Sequence, residues 1–237
     1  MTQNNTGFFN SIPPVTKNII IINLILWVAT LVLPRVGIDL VKIFGLHLPW
    51  ARDFNAFQFV SYMFLHDTRS FSHVFFNMFA VYMFGRVLEN VWGPKRFLIF
   101  YFVTGIGAGI IQELTWCYEL RELIFSNHEM VNTGTSVIAK GEFLNLFVTI
   151  GASGAVFGIL LAFGMLFPNA PLYIMFIPIP VKAKYFVFFY GLAELFLGVA
   201  SFNDGIAHFA HLGGMLFGFF MIRYWKKKDG DNGRYFY

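Results

Sequence analysis

Six mostly apolar segments, separated by polar or proline-containing stretches, occur along this sequence. A helix that crosses a lipid bilayer needs about 20 predominantly apolar residues, and each segment approaches that length. Of the 237 residues, 57% are hydrophobic and only 13% are charged, whereas soluble domains contain about 25% charged residues. The sequence therefore excludes an ordinary water-soluble enzyme and predicts an integral membrane protein. The six predicted spans are residues 18–34, 71–92, 97–116, 153–168, 185–200 and 206–225.

The predicted fold is all-α, a bundle of six transmembrane helices in one domain. The long first loop, residues 35–65, has apolar residues of its own, so we expect it to be membrane-associated and to lie in the interface. The second outer loop, 118–141, is more polar. Three prolines in 171–180 predict an extended segment. The predicted divisions of the chain are an N-terminal tail (1–17), the membrane domain (18–225) and a basic C-terminal tail (226–237).

The distribution of Lys and Arg predicts the orientation in the membrane. An even number of spans puts both termini on one side, and eleven of the 17 basic residues fall in the tails and loops of that side. Because cytoplasmic segments carry an excess of positive charge, both termini are predicted to be cytoplasmic. The basic residues form no single patch, so the net charge of +4 does not indicate a nucleic-acid partner. A single cysteine excludes an internal disulfide and a Cys-type zinc site.

Four polar side chains stand out in the predicted spans, because polar groups are costly in a membrane and usually face the interior of the bundle. His73 and Asn77 lie four residues apart, and hence on one face of the second span. Ser153 opens the fourth span, and His211 lies near the outer end of the sixth. With the orientation above, all four fall in the outer half of the membrane, which predicts that they converge.

This set of residue types is suited to nucleophilic catalysis. Ser153 is a weak nucleophile until an imidazole accepts its proton, and His211 is the natural base. Gly151 permits a tight turn before the serine. If Ser153 begins its helix, backbone N–H groups would stabilise an oxyanion, to which His73 and Asn77 would offer further donors. The sequence places no acidic residue behind His211, which predicts a Ser-His dyad rather than a triad.

Glycine pairs with GxxxG spacing predict that the fourth and sixth spans touch. Gly154 and Gly158 lie in the fourth span, and Gly214 and Gly218 lie in the sixth. Small residues at this spacing let helix backbones approach closely in lipid. Contact along these faces would bring the serine hydroxyl and the imidazole within hydrogen-bond reach.

Taken together, these motifs resemble those of the bacterial rhomboid-family intramembrane serine proteases. The resemblance extends over about residues 15–225, and the motifs occur in the same order and in the corresponding spans. The matching elements are Gly-Ala-Ser-Gly at 151–154, the AHxxGxxxG pattern from Ala210 through Gly214 to Gly218, the HxxxN pattern of His73 and Asn77, the segment 57–66, and the run of Gly85, Glu89, Gly93 and Arg96.

The resemblance implies a protease that cleaves other membrane proteins within or next to their transmembrane helices, with no cofactor and no metal ion. It makes Ser153 the nucleophile and His211 the base. It makes His73, Asn77 and the backbone N–H of the serine the oxyanion hole. It also implies residence in a cell membrane, of the bacterial cytoplasmic type, with lipid and membrane-protein substrates as partners. The fifth span and the loop 201–207 would act as gate and cap.

Three further residues are interpreted separately. Some family members carry tyrosine four residues after the serine, where this chain has Phe157, which can stack on the histidine but cannot donate a hydrogen bond. His208 is interpreted as a cap or a support of the site rather than as a catalytic group. Glu194, in the middle of the fifth span, is interpreted as buried or hydrogen-bonded structure.

Three other functions remain open at this point. An intramembrane metalloprotease could use His73, His208 and His211, but no HExxH motif is present. A non-catalytic rhomboid-like protein could bind client transmembrane helices, although such relatives typically lose the serine or the histidine. A six-span transporter is disfavoured, because no internal repeat is visible in the sequence.

Overall fold

The computed structural model describes residues 11–173, 179–200 and 207–231, and this part of the chain is mostly helical. The expected cap at 201–206, residues 174–178 and the outermost parts of both predicted tails lie outside the described residues. The α-helices are α1 (Pro14–Val32), α2 (Leu40–Phe44), α3 (Gln58–Ser61), α4 (Phe71–Ala80), α5 (Arg86–Trp92), α6 (Pro94–Glu119), α7 (Arg121–Ile124), α8 (Lys140–Leu144), α9 (Ser153–Leu166), α10 (Ala183–Val199) and α11 (His208–Asp231). The strands are β1 (Leu46–His47), β2 (Met130–Asn132), β3 (Val137–Ala139), β4 (Val148–Thr149), β5 (Pro171–Leu172) and β6 (Val181–Lys182).

A helix lies at each of the six predicted positions, with ends that differ from the prediction by up to six residues. By length and composition, three helical stretches of the described chain can cross a membrane: Pro14–Val36, Phe71–Trp92 and Pro94–Glu119. The second of these is α4 and α5 joined by a π-helical turn, and α9 is a shorter apolar helix of 14 residues. This composition is typical of a helical membrane protein.

The first and last helices extend into what the sequence predicts as tails. At the start of α1, the buried Glu89 carboxylate accepts hydrogen bonds from the backbone N–H groups of Val15 (2.9 Å) and Thr16 (2.7 Å). A carboxylate in this position satisfies donors that have no partner within the helix. Near the end of α11, Asp229 accepts two hydrogen bonds from the Arg96 guanidinium, at 2.7 and 2.8 Å. Hydropathy reports the apolar span and not such anchors, so these two helices continue beyond the spans that the sequence predicts.

The centre of the bundle is formed by α6, α9 and α11, which pack against one another, and α10 packs on α9 and α11. The outward faces of α1, α4 and α10 are apolar and exposed, as in Ile25, Phe76 and Phe188. Backbone groups in lipid must be satisfied internally, which helices achieve, and apolar side chains then meet the acyl chains. The buried polar residues described below therefore lie inside the bundle.

The loops contain short paired strands that the sequence does not predict. Strand β1 of the first loop pairs antiparallel with β4, with Leu46 opposite Thr149 and His47 opposite Val148. This pairing ties the first loop to the segment that leads into α9. In the second outer loop, β2 and β3 form a hairpin, and β5 pairs with β6 across the segment predicted to be extended.

Candidate active site

Ser153 lies at the start of α9, after a turn that requires glycine. Two residues earlier, Gly151 has a φ of 133°, a backbone conformation that residues with a side chain rarely adopt. The Gly151 N–H donates to the Tyr62 carbonyl at 2.9 Å, which fixes the turn against the first loop. Because the helix begins at Ser153, the backbone N–H groups of its first turn have no partner within it. The turn therefore presents a hydroxyl next to backbone donors.

The imidazole of His211 contacts the Ser153 hydroxyl directly, with 2.9 Å between Nε2 and Oγ. Phe157, one turn further along α9, stacks on the imidazole, with ring centroids 4.2 Å apart and planes 8° apart. This stacking fixes the plane of the histidine ring without a hydrogen bond. The pair has the geometry in which a histidine can accept the proton of a serine.

Helices α9 and α11 approach this closely because glycines face one another. A Cβ atom at Gly214 would overlap the carbonyl oxygen of Gly154, and one at Gly218 would lie 3.4 Å from the Cα of Gly158. Close backbone contact of this kind gives the van der Waals packing that holds helices together in lipid. Gly154 follows Ser153 directly, and Gly214 lies one turn after His211. Because these glycines have no side chains, the two helix backbones touch there, and the serine and the histidine come together.

An acidic residue does lie behind His211, so the expectation that none does is wrong. The Oε2 atom of Glu194, on α10, lies 2.8 Å from the Nδ1 atom of His211. Because a carboxylate can only accept, Nδ1 is the donor, and Nε2 is left as the acceptor that faces the serine. The sequence predicts that Glu194 is buried or hydrogen-bonded, but it does not predict a contact with His211, because the two residues are 17 positions apart on different helices. The signal that points to it is the presence of a carboxyl in the middle of an apolar span.

His208 binds the same carboxylate, with its Nδ1 atom 2.7 Å from Oε2 of Glu194. The two histidines lie three residues apart on α11, and so on one face of the helix. A single carboxylate oxygen therefore accepts hydrogen bonds from both imidazoles. His208 therefore contacts the glutamate, and within the described part of the chain no hydrogen bond joins it to the serine.

Of the two side chains predicted for the oxyanion hole, His73 borders the space next to Ser153, and Asn77 is hydrogen-bonded to the backbone of His73. The backbone N–H of Asp67 donates to Nδ1 of His73 at 3.2 Å, which leaves Nε2–H of His73 as a donor. A Cβ atom at Gly151 would lie 3.1 Å from that Nε2 and 3.5 Å from Oγ of Ser153, so the open space at the glycine lies between the two. Asn77 donates one amide hydrogen to the His73 carbonyl at 2.9 Å and keeps a second.

The loop before α4 provides a neutral, ordered surrounding for His73. The ring of His66 lies 5.0 Å from that of His73, measured between centroids, and is fully buried. Burial lowers the pKa of His66 to about 3, with a further contribution from His73, so His66 is uncharged at physiological pH. A hydrogen bond from Arg69 holds the pKa of the Asp67 carboxyl below its usual value. Only Asp67 and Arg69 carry charge here, and they neutralise one another.

Among the described residues, one group of His, Cys, Asp and Glu side chains has its ligand atoms close enough to bind a cation: Glu194, His208 and His211, within 4.8 Å of one another. The metalloprotease hypothesis used His73, His208 and His211 as ligands, whereas the third member of this group is the Glu194 carboxylate and not His73. The two N···O distances in it, 2.7 and 2.8 Å, are those of charge-assisted hydrogen bonds. We therefore assign these contacts to hydrogen bonding between imidazoles and a carboxylate.

Comparison with known proteins identifies a matching family and several relatives. The chain matches the model of the Rhomboid domain over residues 53–228. It is 29% identical over 150 residues to rhomboid protein 1, mitochondrial, of Saccharomyces cerevisiae, which covers 63% of this chain and 37% of that protein. It is 30% identical over 145 residues to RHOMBOID-like protein 12, mitochondrial, of Arabidopsis thaliana, which covers 60% of this chain and 39% of that protein.

A third relative is bacterial. The chain is 31% identical over 97 residues to the rhomboid protease AarA of Providencia stuartii, which covers 41% of this chain and 29% of that protein. In each of these three alignments the matched part is less than two fifths of the relative's own length. The family match spans most of the chain and includes every residue of the candidate site.

Proposed function

The chain belongs to the rhomboid family, and from this premise we propose that it is an intramembrane serine endopeptidase. Its substrates are membrane proteins, which it cleaves within or next to their transmembrane helices. The observation that carries the proposal is the hydrogen bond of 2.9 Å between Oγ of Ser153 and Nε2 of His211, inside a bundle of apolar helices. Family membership makes this bond a candidate catalytic pair rather than one of many buried polar contacts.

The proposed reaction uses residues of this chain alone. His211 takes the proton of Ser153 through Nε2 while Oγ attacks the carbonyl carbon of the scissile peptide bond. The carbonyl oxygen becomes an oxyanion in the open space at Gly151, which Nε2 of His73 borders, and the backbone N–H of Ser153 and the Asn77 amide would be its further donors. The imidazolium then protonates the leaving amine. Water, activated by the same histidine, hydrolyses the acyl-enzyme and restores the serine.

The proposal includes an arrangement in the membrane. Six spans, at the positions of α1, α4–α5, α6, α9, α10 and α11, would form a membrane domain of residues 18–225 between two short tails. The excess of Lys and Arg on one side supports cytoplasmic termini in a bacterial cytoplasmic membrane. Two of the relatives are named as mitochondrial and one is from Providencia stuartii. The choice of a bacterial membrane over a mitochondrial one therefore rests on the distribution of Lys and Arg and on the motifs, not on the names of the relatives.

The test of the proposal is cleavage of a single-span membrane reporter by the purified protein. We expect the wild type to cleave it, and Ser153→Ala to lower the rate by at least about 10⁴-fold, because the substitution removes the hydroxyl that contacts His211. A serine-directed phosphonate or isocoumarin should block cleavage, and chelators should not. Cleavage that persists in Ser153→Ala would remove the protease assignment. A folded wild type that binds the reporter without cleaving it would favour the non-catalytic alternative.

Asn77→Ala tests the proposed oxyanion hole. Loss of one donor among several should raise the activation free energy by at most about 2.7–4 kcal/mol, as a reduced kcat with the substrate still bound. A matched control is Asn23→Ala, which removes the same kind of bond, from a buried Asn Nδ2 to the carbonyl four residues earlier, on α1, at 2.7 Å. The control should cleave at the wild-type rate wherever it is folded. Asn77→Ala as inactive as Ser153→Ala would mean that its role is misassigned.

A further inference from the structure

We infer that Glu194 is a positioning residue for the catalytic histidine, so that the site works as a Ser-His-Glu chain with His208 as the second support of the carboxylate. This inference rests on the proposed function. It assigns a role to the one charged side chain of the described α10 between Tyr185 and Val199. The chain of contacts runs from Oγ of Ser153 through both nitrogens of His211 to Oε2 of Glu194.

The burial of Glu194 is costly unless its charge is paired. The stretch of α10 from Tyr185 to Val199 is otherwise apolar or aromatic, and Glu194 is a buried residue with only 4% of its surface exposed. A carboxylate in such surroundings persists where strong donors satisfy it. Both donors come from α11, through Nδ1 of His211 at 2.8 Å and Nδ1 of His208 at 2.7 Å. An apolar residue at position 194 would pack in the bundle at a lower cost. The presence of a carboxylate there therefore indicates a role other than packing.

The direction of these hydrogen bonds determines what Glu194 does for the reaction. A neutral imidazole has one N–H, and the carboxylate holds it on Nδ1 of His211. The lone pair of Nε2 then points at the serine, which is the tautomer that the proposed mechanism requires. When the histidine takes the serine proton, the same carboxylate stabilises the imidazolium. Phe157 fixes the plane of the ring by stacking, and Glu194 fixes its rotation within that plane.

His208 limits the motion of Glu194 in turn. Because both imidazoles bond the same oxygen, the carboxylate cannot rotate away from His211 without losing its bond to His208. The groups that face the His211 ring are Ser153 on α9, Glu194 on α10, His208 on its own helix and His73 on α4, which is close enough to interact with it electrostatically. Of these groups, Glu194 supplies the negative charge.

A purely structural role for Glu194, as a link between α10 and α11, makes different predictions from a positioning role. Glutamine is nearly isosteric and keeps an oxygen that can accept a hydrogen bond, so a link between helices would largely survive Glu194→Gln. A positioning role needs the charge, because an amide can turn its NH₂ group towards Nδ1 and so favour the wrong tautomer. The pH dependence of the reaction separates the two roles.

The experiment compares Glu194→Gln with the wild type in the reporter assay, with Glu113→Gln as the matched control. Glu113, on α6, is equally buried at 4% exposed, and its oxygens have no hydrogen-bond partner among the described residues. We expect Glu194→Gln to lower kcat by about 10²-fold with KM little changed. The acid limb of its kcat/KM profile should move to lower pH, because the imidazolium has lost its counter-charge. Glu194→Asp, which keeps the charge, should recover part of the rate, and Glu113→Gln should leave rate and profile unchanged.

The possible outcomes separate the inference from the proposed function. A wild type that does not cleave at all refutes the proposed function itself. A wild type that cleaves, with Glu194→Gln equal to it in kcat and in pH profile, overturns the positioning role alone. Loss of cleavage by the wild type on treatment with a chelator, restored by zinc, would also overturn it, because Glu194, His208 and His211 would then be metal ligands.

Discussion

Replacement of His211 by alanine is expected to reduce cleavage of the membrane reporter by about 10⁶-fold, to the level of Ser153→Ala. Serine and histidine act as one unit, so either loss removes nearly the whole catalytic effect. Alanine leaves the serine hydroxyl with no acceptor at 2.9 Å and the Glu194 carboxylate without one of its two imidazole donors. The remaining donors can still bind an oxyanion, but they cannot activate the serine.

The measurement is the initial rate of cleavage, together with the thermal unfolding temperature of the purified variant in the same detergent. His128→Ala is the matched control, because His128 is exposed in the second outer loop and contacts none of the catalytic residues in the described structure. It should cleave at the wild-type rate. A folded His211→Ala variant with more than about one hundredth of the wild-type rate would mean that another group is the base.

The double substitution Ser153→Ala with His211→Ala adds a test of the pairing. Residues that act as one catalytic unit are strongly non-additive, so the double variant should be no less active than either single variant. If the effects multiplied instead, the two residues would contribute independently. The bond of 2.9 Å between them would then be incidental to the reaction.

The positions of the helices could be predicted from the sequence because hydropathy and helix-ending residues are local signals. The span Phe71–Trp92 was predicted to the residue, since Gly93, with a φ of 79°, ends one helix and Pro94 begins the next. The glycine pairs at 154/158 and 214/218 carry similar information about packing. Glycines at this spacing leave a groove on the helix surface, and a second helix with the same spacing can fill that groove by close backbone contact.

The surroundings of the histidine could not be predicted, because they depend on how α10 is rotated against α11. Between Tyr185 and Val199 every face of α10 is apolar apart from Glu194, so its sequence has no amphipathic pattern that would orient the helix. The sequence therefore located the carboxyl within a span but not against His211 and His208. The pairing of β1 with β4 could not be predicted for a related reason, since strands of two residues have no periodic sequence pattern.

Gly214→Val is expected to have the largest effect on stability. Even the first carbon of a side chain at this position would overlap the carbonyl oxygen of Gly154. A flexible side chain could move aside, but this oxygen belongs to the backbone of the first turn of α9, directly after Ser153. Overpacked positions usually cost about 1–3 kcal/mol, and we expect the upper end or more here. The helices would have to separate at the point where the serine and the histidine meet.

Gly230→Val provides the control on the same helix, because a Cβ atom at Gly230 meets nothing within 4 Å. Valine there should leave thermal unfolding in detergent and reporter cleavage close to wild type. In Gly214→Val both should fall together, since the contact that holds α9 against α11 also sets the distance between Oγ and Nε2. If Gly214→Val kept wild-type stability and activity, the two helices could not be packed through these glycines, and the proximity of Ser153 to His211 would need another cause.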